Sequence, residues 1–220
     1  MGARRSSIAS ASADDLSHWA GQTQQLQRGE IENYVSAQWF RDGKSVLFSG
    51  NEPGKGTRFY IQDISGGAPR PVTPEGTRDG LLSPDGTLVL ARGPDGKYSI
   101  YPIADADRAR ETPGQQQNAS PSGKQSAEPR FVPGLSEADV LAHWSADGTA
   151  ILVYRRAEIP CRLERVDLVT GRRTLFKEFA PADRTGLLSM REVFVTDDLR
   201  SYAYTAYYQV SSLFESEAKP

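Results

Sequence analysis

The sequence predicts an all-β chain of β-propeller blades, each made of four antiparallel strands. Three observations predict this. A turn anchor recurs at an even spacing, an apolar strand follows each anchor, and an alternating strand follows that. The anchors are Trp39-Phe40-Arg41-Asp42-Gly43-Lys44, Leu82-Ser83-Pro84-Asp85-Gly86-Thr87 and Trp144-Ser145-Ala146-Asp147-Gly148-Thr149. A worn fourth copy reads Val195-Thr196-Asp197-Asp198-Leu199-Arg200. Gly43 to Gly86 is 43 positions, Gly86 to Gly148 is 62, and Gly148 to Leu199 is 51. The long interval contains the polar Gln/Ser/Pro/Gly stretch 111–130, and without those 20 residues it falls to 42. Repeats of about 40–45 residues are the size of propeller blades.

Each copy reads alike. A first strand enters the anchor, as at 35–40 and 140–144. The Asp-Gly pair is a hairpin signal, because both residues tolerate the positive φ of a tight turn. The second strands, 45–49, 88–91, 150–154 and 201–205, are nearly continuously apolar, as in strands covered on both faces. Third strands alternate at 58–64, 97–101, 162–168 and 212–215, and fourth strands are read at 69–73 and 173–176. The prolines and charges of the fourth strands suit an exposed edge. No fourth strand is read in the second copy, where residues 105–110 are polar and run into the insertion.

The expected organisation is a disordered leader over 1–14 and one propeller domain, or half-propeller, over 15–217. Blades are placed at about 35–76, 80–110, 139–178 and 190–217, with a partial blade at 15–27 and the insertion at 111–130. The preferred expectation is the C-terminal half of a longer propeller, which would self-associate or need upstream blades. A closed four-bladed ring, completed by the strands read at 16–19 and 23–26, is the alternative.

These motifs resemble the TolB-type, WD-repeat-like β-propeller repeat, through Trp39, Asp42, Gly43, Asp63, Gly66, Gly67, Val72 and Thr73. Ser83-Pro84-Asp85-Gly86 is that repeat's tetrapeptide complete, and Trp144, Ser145, Asp147, Gly148 and Asp167 match in the third copy. The stretch 204–214 is similar to the last blade of bacterial propellers fused behind serine/threonine kinase domains. The resemblance implies a non-catalytic interaction module, a scaffold or sensor binding protein or peptide. The alternative it implies is the propeller part of a prolyl-oligopeptidase-type hydrolase, gating a catalytic domain outside this chain.

Composition excludes several chemistries. A net charge of −2 gives no electrostatic case for nucleic acid, and no apolar run reaches the roughly 18 residues of a membrane helix. One cysteine and two histidines leave no metal-ligand spacing, so no metal or cofactor is expected. Gly50 to Thr57 imitates a phosphate loop but has three residues where four are required, and it joins two strands. Kinase signatures and the G-x-S-x-G elbow are absent, so no catalytic residue is assigned and the chain is read as a non-enzyme. Arg4 and Arg5 precede no apolar signal core, and Gly2 with Ser6 is a weak myristoylation pattern. The cytoplasm is therefore the default compartment, with the periplasm implied by the resemblance if the chain is a fragment. Candidate binding residues are Tyr34, Arg78, Asp79, Glu137 and Asp139, on loops entering the innermost strands at the channel rim.

Overall fold

A computed structural model describes residues 31–103 and 128–209, together with the backbone of Ala9–Ser10 and Gln24–Gln25. The chain divides into two compact units, Met1–Ser136 and Glu137–Pro220. Every sheet is antiparallel, and the described residues contain no helix.

In the first unit β1 (Ala9–Ser10) pairs with β2 (Gln24–Gln25), so two residues of the stretch read as a leader lie in a strand. The rest of that leader and the strand read at 16–19 lie outside the described residues. A four-stranded sheet follows: β3 (Glu32–Trp39), β4 (Ser45–Asn51), β5 (Arg58–Asp63) and β6 (Arg70–Pro71), in sequence order. The next sheet runs β7 (Arg78–Leu82), β8 (Leu88–Arg92), β9 (Tyr98–Pro102) and β10 (Arg130–Phe131).

β10 supplies the fourth strand that the sequence reading denied to the second copy. The polar stretch therefore separates the third and fourth strands instead of ending the blade, and Arg130 belongs to the strand. Its anchor is the buried Val132, whose N–H donates to Tyr98 O at 2.9 Å, just as Val72 N–H donates to Phe59 O at 2.9 Å in the first sheet. A pairing only two residues long leaves almost no periodic signal in sequence.

The second unit holds β11 (Asp139–Trp144), β12 (Ala150–Arg155), β13 (Cys161–Asp167) and β14 (Arg173–Phe179) in one sheet, then β15 (Leu187–Val195) paired with β16 (Tyr202–Tyr208). The strand read at 212–215 lies outside the described residues.

Alternation distributes the apolar side chains to both faces of the second strands. Leu47, Phe59 and Ile61 pack against Val89, Ala91 and Tyr101 of the next sheet, while Val46, Phe48 and Tyr60 form a separate cluster with Ile31. In the second unit Leu152, Tyr154, Leu163 and Phe179 pack with Met190 and Val193 of β15, and Tyr204 of β16 lies against them. Each fully buried Leu or Phe contributes roughly 1.5–3 kcal/mol, so the contact between successive sheets is the main source of stability within a unit.

The Asp-Gly turns do not place both residues at positive φ, as the hairpin signal suggests. Each is a five-residue link, and only the glycine takes positive φ: 67° at Gly43, 69° at Gly86 and 67° at Gly148. The aspartate instead accepts the N–H two residues on, as Asp42 does from Lys44 at 2.9 Å and Asp147 from Thr149 at 3.1 Å. In the fourth copy Leu199 holds the glycine's place at φ 57°, and Asp198 still accepts Arg200 N–H at 3.0 Å. The carboxylate bond preserves the turn after the glycine is lost, against a backbone cost of about 1–2 kcal/mol.

Candidate functional site

Register brings the start of each first strand beside the end of the second. Glu32 pairs with Asn51, Arg78 with Arg92, Asp139 with Arg155, and Leu187 with Tyr208. The candidate residues sit at these ends, each within its own unit.

In the first unit Tyr34 is half-buried, its ring 5.2 Å from that of Phe48. Arg78 and Asp79 are exposed on β7 itself, not in a loop before it. Asp79 lies in a bulge at φ 52° and is ion-paired with Arg92. Asn33, also left-handed at φ 51°, donates to Asn51 Oδ1 at 3.0 Å. The loop after β4, which imitates a phosphate loop in sequence, closes on itself: Glu52 accepts from both Lys55 and Arg58. Those bonds, led by the one from Lys55, hold the Glu52 carboxyl down at about 2. Lys55 is thus engaged by a carboxylate of its own loop.

In the second unit Glu137 is exposed, whereas Asp139 has no exposed side-chain surface. Arg173 grips Asp139 with two bonds, Nη1 to Oδ2 at 3.0 Å and Nη2 to Oδ1 at 2.8 Å, and reaches Glu164 Oε2 at 2.6 Å. The hydrogen bonds to Asp139 push the Arg173 pKa further above its usual value. Asp139, read as a rim contact, is a buried structural anion instead. Alternation at the strand start turns its side chain inward, where the guanidinium offsets its desolvation.

His143 places Nε2 3.1 Å from Asp197 Oδ1 in the turn between β15 and β16. The Cys161 thiol is buried, and burial followed by the Glu158 charge pushes it up to about 11. It is therefore not held as a thiolate nucleophile.

Sequence reasoning missed the residues that engage these ends: Arg92, Arg173 and Glu164. One signal was available. Ser36–Ser49, Asp79–Arg92 and Glu192–Thr205 are each hydrogen-bonded across a separation of 13 residues. The three pairs occupy the same two places relative to the turn anchor. A repeated polar pair at fixed register ties the first strand to the second in three of the four copies.

Among the described residues no group of three or more His, Cys, Asp or Glu is placed to hold a metal ion. Nor is any helix there long and apolar enough to cross a membrane.

With this geometry the fold is of the β-propeller class, a run of about four blades. It is similar to solved TolB-type propellers. A protein assigned as TolB from Agrobacterium tumefaciens matches over 84% of this chain and 57% of its own, with 17% identity and a TM-score of 0.50. TolB from Acinetobacter baumannii matches over 87% of this chain and 47% of its own, with 15% identity and a TM-score of 0.52. The periplasmic gluconolactonase of Pseudomonas aeruginosa aligns over 86% of this chain and 55% of its own, with 15% identity and a TM-score of 0.48. The chain thus spans about half the length of these structures. No family model matches it, and no curated protein matches it.

Proposed function

We propose that the chain is a non-catalytic propeller module that binds an extended peptide or a segment of another protein at the strand-start ends of its blades. One observation carries this reading: the carboxylates of Glu52, Asp79 and Asp139 at those ends are each engaged by partners of their own sheet or loop. Glu52 is held at about 2, Asp79 is ion-paired with Arg92, and Asp139 is gripped by Arg173. Proton transfer needs a group poised near the working pH, and the Glu52 carboxyl is held far below it. Charged groups fixed in place by such partners, beside exposed polar side chains, suit recognition of backbone amides and side chains of a ligand. Within the first unit Tyr34, Arg78 and Asp79 supply the contacts; in the second unit Glu137, with Asp139 positioning the strand behind it, supplies a separate one. In a longer protein such a module acts as a scaffold or sensor, the role implied by the resemblance to propellers behind kinase domains.

Selection from a displayed library of unstructured peptides tests the reading. Binders should be enriched, and Arg78→Glu should weaken them by about tenfold, the equivalent of 1.4 kcal/mol. A library that yields no binder counts against the module. Turnover of an ester, lactone, uronate or aminoacyl-amide substrate, abolished by one side-chain substitution, would overturn the non-catalytic reading.

A further inference from the structure

The repeat register identifies which side chains of each sheet point toward the next one. Leu47 and Leu152 stand four residues after their turn glycines, and each packs against the following sheet of its unit. Gln38 and His143 stand five before, and each bonds to the following sheet, Gln38 to β7 and His143 to Asp197. In the fourth copy these places fall to Ala203 and Phe194. Both are exposed, Phe194 to 66%, with Tyr207 of the same face at 42%. Among the described residues of this unit, the face that is covered in the earlier sheet is exposed here.

Its chemistry indicates the occupant. Ala203 replaces the leucine of the other copies and stands beside Phe194 in the register, so the smaller side chain offers a place for an aromatic ring. The face also carries both charges side by side. Arg191 lies 5.1 Å over the Tyr207 ring, and Glu192 accepts from Thr205 Oγ1 at 2.7 Å. A surface with a cation and an anion next to each other, around aromatic anchors, is complementary to itself under a twofold rotation.

We propose that this face of β15 and β16 binds the same face of a second copy of the chain. Phe194 of each copy seats over Ala203 of the other, and Arg191 of each meets Glu192 of the other. Nothing in this depends on what the strand-start ends bind.

Sedimentation velocity on the full chain across the micromolar range tests it. A concentration-dependent dimer is expected, and Phe194→Glu, at an exposed site, should weaken it by at least about tenfold with unchanged thermal unfolding. Charge reversal gives a second arm. Arg191→Glu alone and Glu192→Arg alone should each weaken the homodimer, because like charges then meet, while mixing the two variants should restore a heterodimer. A chain that stays monomeric overturns the proposal. So does association that survives Phe194→Glu, or a mixture of the charge variants that associates no better than either alone.

Discussion

Gln38 on β3 and Leu82 on β7 join two successive sheets through one side-chain amide. Leu82 N–H donates to Gln38 Oε1 at 2.9 Å, and Gln38 Nε2 donates to Gly80 O at 2.9 Å. Both backbone groups lie on the edge of the second sheet away from β8, where no ladder bond reaches them. A leucine of similar size would fill the space and strand both groups. Gln38→Leu is therefore expected to destabilise the chain by about 1–3 kcal/mol, the penalty for unsatisfied buried polar groups. Urea denaturation checks it, and Arg162→Ala, which removes an exposed bond to Glu178, should move the midpoint far less.

Asp139 and Arg173 make the same argument with charges. The carboxylate has no exposed surface, and losing it strips two charge-assisted bonds from the Arg173 guanidinium, leaving that group to Glu164. Asp139→Ala is expected to cost about 3–5 kcal/mol. Glu137→Ala, two residues earlier and exposed, should be neutral in the same denaturation series. Equal effects from the two variants would contradict the buried ion pair.

The aspartates of the turns set the acid limb of stability. Hydrogen bonds from the Ser145 side chain and then from Thr149 hold Asp147 at about 2, below the usual 3.8. Asp198 is lowered by the Thr196 hydroxyl, and Asp167 and Asp183 are lowered by backbone N–H groups of Thr170 and Thr185. The folded-state pKa lies below the unfolded one, so the unfolded chain binds more protons as pH falls. The contribution is complete above about pH 4 and is lost as the pH drops toward about 2. Thermal midpoints should decline across that window. Asp147→Asn, which keeps an acceptor but cannot titrate, should flatten the decline.

Much of the fold was legible because the turn chemistry repeats. Aspartate and glycine at fixed places force the same link whatever surrounds them, and the apolar second strands then have one place to go. The fourth copy was legible even without its glycine, since Asp198 makes the same bond there. What a residue touches was less legible. Trp39 and Trp144 occupy the same place in the repeat, yet Trp144 is 2% exposed and Trp39 51%. In the other two copies that place is held by Leu82 and Val195, which pack with the preceding sheet of their own units, so the residue type there does not fix its burial. The candidate site failed at Asp139 for a related reason. An acidic residue at a strand start reads as exposed until Arg173, far along the chain, is seen to cover it.

The turn glycines offer a sharper test, because identical backbone demands meet different surroundings. Gly86 and Gly148 share a left-handed conformation, at φ 69° and 67°. A Cβ at Gly148 would meet nothing within 4 Å, whereas one at Gly86 would lie 2.9 Å from the ring of Phe40. Phe40 belongs to the core between the first two sheets of its unit and has little room to give. Gly148→Ala is therefore expected to cost about 1–2 kcal/mol, the backbone penalty alone. Gly86→Ala should cost a further 1–3 kcal/mol or so for overpacking. Gly80→Ala separates the two contributions, since its φ is ordinary while its Cβ would fall 2.4 Å from the Phe59 ring. It should show the packing loss without the backbone one. If all three variants unfold at the same urea concentration, the contact between the first two sheets is not the one described.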